Sequence, residues 1–257
     1  MNASNRPPAD PPRLGDAIGA ELLLRRLRRL ATLGGEEINL LLSLNDHAKT
    51  HAPGSMICPH GDGSPHPRLI ASGWACRPRI MPDGRRQLLG LVLPGDLIGD
   101  RGERRPLALN PAMALTQVRT VGAGRLFDAL ASRPDAYPQL RLALAQVDRV
   151  EEAQLIEHVV RLGCQTALQR TANALLEMHG RLAAIGFTHD GTFPMPLTQD
   201  TLGDLLGLSL VHVNRIVAQL KRERLVRMRG GVVEVEDFAR LALLADRVDP
   251  MTASAAC

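Results

Sequence analysis

An α+β architecture in three consecutive parts is what this 257-residue chain predicts, from three changes of texture along it. From Pro53 to Gly124, short apolar runs alternate with Gly, Pro and Asp turn signals, which predicts an antiparallel β-roll of jelly-roll type. A long helical stretch follows, and then two short helical periods and a Gly-Gly hairpin, the pattern of a winged helix-turn-helix. The boundaries fall at 1–16 for a disordered tail, 17–134 for the roll, 135–163 for the long helix and 164–250 for the last domain.

The tail "MNASNRPPADPPRLGD" is polar and Pro-rich, lacks an apolar segment of signal-peptide type and buries nothing. From Asp16 to Leu44 apolar residues recur at helical spacing. Leu23, Leu24, Leu27 and Leu30 form a stripe, with Arg25, Arg26, Arg28 and Arg29 around it. This predicts an amphipathic helix packed on its own domain with a solvated Arg face. Within the roll, "WACRPRIMPDGRRQLLGLVL" is the clearest hairpin, because Asp83-Gly84 supplies the left-handed turn residue between two strands.

The long helix, read from Asp135 to Leu162, has Pro134 at its entry and Gly163 at its exit. Leu140, Leu144 and Val147 lie on one side and Leu155, Val159 and Leu162 further round. So wide an apolar girth predicts two partners, the roll and the same helix of a second chain. Glu151, Gln154 and His158 interrupt the pattern, so no regular heptad seam is expected. The next helix runs from Thr166 to Ala184, capped by Thr166 and stopped at Gly186. "FTHDGTFPMP" then reads as a linker.

The stretch from Leu197 to Leu241 is the most specific in the chain. Thr198 can cap a first short helix, and Asp200 complements its dipole. Leu202, Leu205 and Leu206 form its inner face, and Gly207 allows a sharp left-handed turn. Ser209 caps a second helix whose Val213, Ile216, Val217 and Leu220 point inward. At 100° per residue Val211, Arg215, Ala218 and Arg222 fall on the outer line, flanked by His212 and Asn214. This is the arrangement that lays a second helix in the major groove. "LVRMRGGVVEVE" adds a wing in which Arg227 and Arg229 suit phosphate contact. Residues 198–231 hold five Arg and one Lys against two Asp and one Glu. The candidate DNA contacts are therefore Thr198, Gln199, Ser209, Val211, His212, Asn214, Arg215, Arg222, Arg227 and Arg229.

In order and in motif, the chain resembles the Crp/Fnr superfamily of bacterial transcription regulators over almost all of residues 17–247. The resemblance is carried by "LTQDTLGDLLGLSLVHVNRIVAQLKRERLV" and "MPDGRRQLLGLVLPGDLIG". It implies a regulator without enzymatic activity: a cytoplasmic homodimer joined along the long helix, binding a palindromic double-stranded DNA operator and working with RNA polymerase. The departures are specific. Well-known members begin the recognition helix with an Arg-Glu pair and place a second Arg four residues after the Glu. Here Leu210 and Val211 stand at the pair and only Arg215 remains. Cyclic-AMP-binding members carry Gly-Glu and then Arg-Ser or Arg-Thr, whereas this chain reads "LIGDRGERRPLALNPAMAL". Asp100 can replace the Glu, but "NPAMA" offers no Arg for a cyclic phosphate. Arg101, Arg104 or Arg105 would have to compensate. The effector is unknown, and no cofactor is expected.

Composition narrows the alternatives. Net charge is +4, so a polyanionic partner is permitted but not required, and Asp and Glu nearly balance Arg, unlike a DNA-coating protein. Cys58, Cys76, Cys164 and Cys257 are scattered without a CxxC and read as reduced thiols; the cysteine set of oxygen-sensing members is missing. No apolar run reaches a membrane span. His47, His51, Cys58, His60 and His66 form a cluster that raises a second function, a metal-dependent enzyme or metal sensor on the roll. Their spacing matches no ligand signature.

Overall fold

The computed structural model describes residues 19–45, 48–58, 67–99 and 111–246. The expected tail, His47, His60, His66, Asp100, Arg101, Arg104, Arg105 and Cys257 lie outside them.

The amphipathic stretch expected as one helix forms two, α1 (Gly19–Leu27) and α2 (Gly35–Leu42). The break has a local cause. Gly34 adopts an extended N-cap conformation and its N–H donates to Glu37 Oε2 at 2.7 Å, which starts a new helix. The Arg face is also less solvated than expected, because Arg26 pairs with Asp96 and Arg25 donates to the Ile185 carbonyl.

The roll consists of two four-stranded antiparallel sheets. One has the order β1 (Lys49–His51), β8 (Val118–Gly122), β3 (Arg68–Ser72), β6 (Leu97–Ile98). The other runs β2 (Met56–Cys58), β7 (Ala112–Ala114), β4 (Ala75–Ile80), β5 (Arg86–Val92). The β4–β5 hairpin turns where the sequence predicts, with Gly84 at φ +82°. Between the sheets Ile70, Ala75, Val92, Ile98 and Val118 are fully sequestered. Cys76 faces the core, where burial pushes its thiol up to about 12, so it stays protonated.

After α3 (Gly124–Ser132), the long helix α4 runs Pro138–Cys164. Its entry proline is Pro138 at the first helical turn, not Pro134, and Gly163 lies inside it. The two halves of α4 differ. Leu140, Ala143, Leu144 and Val147 are buried against α1, α2 and α3. Further on, Leu155, Ile156, Val159 and Val160 are exposed, Val159 by 62%. Leu162, expected on that free side, is half-buried near Gly207, where an added Cβ would lie 3.3 Å from its Cδ2. Of the polar interruptions, Glu151 pairs with Arg77 at 3.4 Å and lies 3.6 Å from Arg26. His158 and Arg161 are buried, 4% and 2% exposed, on the face toward the next helix.

Helix α5 (Ala167–Ala184) has the expected Thr166 cap, closed as a box with Gln169. The stretch read as a linker contains a strand, β9 (Thr192–Pro194), which becomes the third strand of the wing by pairing with β11 (Val232–Val235); β10 (Val226–Arg229) pairs on the other side. Three residues between turns were too short to show periodicity. α6 (Gln199–Leu206), α7 (Leu210–Arg222) and α8 (Phe238–Ala245) complete the chain. No helix of the described residues is long and apolar enough to cross a membrane.

Candidate nucleic-acid interface

Both short helices of the C-terminal unit begin on hydroxyl caps. Thr198 Oγ1 accepts from the Thr201 N–H at 3.1 Å, and Ser209 Oγ from the His212 N–H at 3.4 Å. Gly207 ends α6 in the left-handed region, at φ +64°. The approach is close elsewhere too: a Cβ on Gly203 would lie 2.6 Å from the Leu208 carbonyl oxygen. Leu202, Leu205, Leu206, Val213, Ile216, Val217 and Leu220 are all buried, as their spacing predicts.

That packing decides what faces out. Val211 is 78% exposed, and Ser209, Asn214, Arg215, Ala218 and Arg222 share the exposed side. His212 is half-buried beside them. Arg215 Nη2 lies 2.6 Å from His212 Nε2. Thr198 and Gln199 are exposed at the start of α6. In the wing the two arginines part company. Arg229 stands exposed beside the Gly230-Gly231 turn with no ion-pair partner among the described residues. Arg227 is engaged by two carboxylates, Glu234 at 2.6 Å and Glu236 at 2.5 Å. Antiparallel pairing sets Glu234 directly opposite Arg227, the arginine that the sequence assigned to phosphate.

The unit is held to the rest of the chain by a shared apolar cluster, in which Leu22, Leu88, Leu91 and Leu93 join Leu175, Met178 and Leu205, and by charged contacts. Arg86 of β5 clasps Asp204 of α6 through Nε at 2.7 Å and Nη2 at 2.5 Å, and Gln87 donates to the Asp204 carbonyl at 2.8 Å. Deeper, Asp96 accepts from Arg26 and Arg181, both at 2.6 Å, and from the Leu93 N–H at 2.8 Å. Arg181 also approaches Glu177, which takes Arg161 at 2.5 Å. Burial opposes charge on Asp96 and Glu177. The guanidiniums of Arg181 and Arg26 at Asp96, and of Arg161 and Arg181 at Glu177, outweigh it and hold both carboxyls below the usual range. His158 is held below the usual imidazole range by burial and then by Arg161. Asp96, His158, Arg161, Glu177 and Arg181 line a cavity of about 290 Å³ bordered by Leu91, Met178 and Leu205. None of these pairs was legible in the sequence, since the partners stand 70 and more residues apart except for those within α4 and α5.

At the family's phosphate-arginine position the strand β7 presents Ala112, Met113 and Ala114, all buried. Of the metal cluster, His51 is buried with Nε2 3.1 Å from Thr120 Oγ1. Among the described residues no three His, Cys, Asp or Glu side chains converge on a metal position.

Residues 169–244 match the family described as the Crp-like helix-turn-helix domain. The chain is 30% identical over 217 residues to the transcriptional activator protein FnrL of Cereibacter sphaeroides, covering 82% of this chain and 85% of that one. It is 31% identical over 170 residues to the nitrogen fixation regulation protein FixK of Bradyrhizobium diazoefficiens, with 65% and 68% covered. The solved structure of FixK2 from Bradyrhizobium japonicum superposes with a TM-score of 0.68 at 24% identity, covering 79% of this chain and 98% of that one. The metal-enzyme alternative finds no support among these relatives, which are named as regulators.

Proposed function

This chain belongs to the Crp/Fnr superfamily of DNA-binding transcription regulators, and from that premise we propose that it binds a palindromic operator as a homodimer, with α7 in the major groove. The observation that carries the reading is the sorting of α7: four apolar residues inward, and Val211, Asn214, Arg215 and Arg222 outward. Arg215 offers a fork suited to guanine O6 and N7, and Val211, one turn earlier, an apolar contact for a thymine methyl. Ser209, His212 and Asn214 lie within reach of base edges, and Arg222 further along suits the backbone. Thr198 and Gln199, at the N-terminus of α6, suit a phosphate, as does Arg229 in the wing. Arg227 contributes less, its charge being matched by Glu234 and Glu236.

The exposed stripe Leu155, Ile156, Val159 and Val160 supports pairing of α4 with α4 of a second copy. Two-fold pairing puts the half-sites about one helical turn apart. RNA polymerase is the partner through which such a dimer would act. The effector is not cyclic AMP on this reading, since Ala112, Met113 and Ala114 give its phosphate no cation. A dimer competent without any ligand follows most directly. Selection from random DNA should return a palindrome with a guanine near a thymine in each half. Arg215→Ala should cost about 1–3 kcal/mol and relax preference at that guanine. Full affinity and an unchanged consensus in that variant would overturn the assignment. Calorimetry should detect no low-micromolar cyclic-AMP binding.

A further inference from the structure

We propose that His212 is a positioning residue for base selection: it holds the Arg215 guanidinium so that one edge is presented to a guanine. The inference rests on α7 being the helix that reads the groove. Its own observation is the 2.6 Å approach of Arg215 Nη2 to His212 Nε2 across one helical turn.

Chemistry fixes the roles within this pair. A guanidinium only donates hydrogen bonds, so Nε2 must accept, and the imidazole is neutral with its proton on Nδ1. A guanidinium has two edges that each carry two N–H groups beside one another. His212 occupies one Nη2 hydrogen and leaves the opposite edge whole, which is the pair of donors that O6 and N7 of a guanine accept. The Nδ1–H of the ring remains a further donor on the exposed side.

Local structure holds the acceptor in place. His212 sits in the first turn of α7, where its N–H is tied to the Ser209 Oγ, and it is half-buried where Arg215 is exposed. The less exposed side chain thus offers a fixed acceptor to the more exposed one. An unheld arginine on a helix surface samples many rotamers and loses that freedom on binding; a held one loses less. The gain applies only where the bound guanidinium must keep one orientation, so it falls on guanine recognition and not on phosphate attraction, which tolerates many orientations.

The test compares the full-length protein, His212→Ala, His212→Gln and Arg215→Ala on the selected operator and on operators with the guanine replaced by each other base. Affinity for unrelated DNA is measured in parallel. Discrimination at that guanine should fall about two- to tenfold in His212→Ala, the size of ordering one long side chain. It should be restored in His212→Gln, whose amide oxygen can accept, and in His212→Ala the operator should lose more affinity than unrelated DNA does. Unchanged discrimination in His212→Ala, beside a clear loss in Arg215→Ala, overturns the positioning role and leaves α7 as the groove helix. Equal weakening of operator and unrelated DNA in His212→Ala makes His212 a phosphate contact and also overturns it. Unchanged discrimination in Arg215→Ala removes the reading on which the proposal rests.

Discussion

The contact between α6 and α7 and the joint between α5 and the roll share one apolar cluster, yet only the joint adds buried charges to it. Leu202, Leu205, Leu206, Val213 and Leu220 close the first without a charge. The second sets Asp96, Arg26, Arg181, Glu177 and Arg161 beside apolar residues from both sides, Leu22, Leu91, Leu93, Met178, Leu182 and Leu205 among them. An apolar seam has no good half-open state, because every displaced side chain loses dispersion and burial together. A charged joint resists loss of one partner strongly, but charges exposed as a set regain water. The helix pair is therefore suited to stay one body, while at the joint the charged groups alone could exchange partners with water.

The largest expected effect comes from the apolar side. Leu220→Ala should destabilise the protein by about 2–5 kcal/mol and remove operator binding, measured by urea unfolding and fluorescence anisotropy. A loss below about 1 kcal/mol would mean that the seam collapses around the gap and is no rigid body. Next, Asp96→Asn leaves Arg26 and Arg181 without their common carboxylate, at a cost of about 3 kcal/mol, the lower end for a broken buried pair. Its hydrogen exchange should rise in α5 near Arg181 while amides of α6 and α7 stay protected; loss of protection in all three would merge the two regions into one.

Acid sharpens the same contrast. His158 carries a lowered imidazole pKa in the folded state, so the unfolded chain takes the proton first as pH falls below about 6.5. Stability should thus decline from that point downward, with His51 and His179 adding the same sign. Asp96 and Glu177, also lowered, keep their contribution above the ordinary carboxylate range and lose it only as pH falls through their folded values. His158→Gln should flatten the slope between about pH 6.5 and 5, and an unchanged slope would take His158 out of the joint's titration. The smallest effect is expected at the half-exposed Arg86–Asp204 pair. Arg86→Ala should cost less than about 1 kcal/mol in stability, and a larger loss would show that the hairpin contact bears more of the joint than its exposure allows.

What could be read from the sequence follows the same division. The helix-turn-helix was legible because its spacing, caps and turn glycine all lie within some 25 residues, so periodicity and local chemistry agree. The hairpin at Asp83-Gly84 was legible for the same reason. The joint was not, since nothing near Asp96 announces Arg26 or Arg181, and a buried ion pair leaves no local period. Arg227 shows the limit at short range as well: the expected phosphate contact also pairs with Glu234 and Glu236, and the alternation of the strand did not announce either. The split of the first helix was signalled by Gly34-Gly35, with glutamates in the following turn, but the leucine spacing ran across it.

The close approach at Gly203 bears on how such a protein can change over generations. Even an alanine there would press on the Leu208 carbonyl and shift the turn, so the frame admits almost no variation at that point. A few residues on, Leu210, Val211 and Asn214 stand in solvent and support no core, and most single exchanges there leave the fold intact. On the proposed reading, new operators are thus within reach of point mutations, while the angle at which α7 is offered to DNA is inherited unchanged.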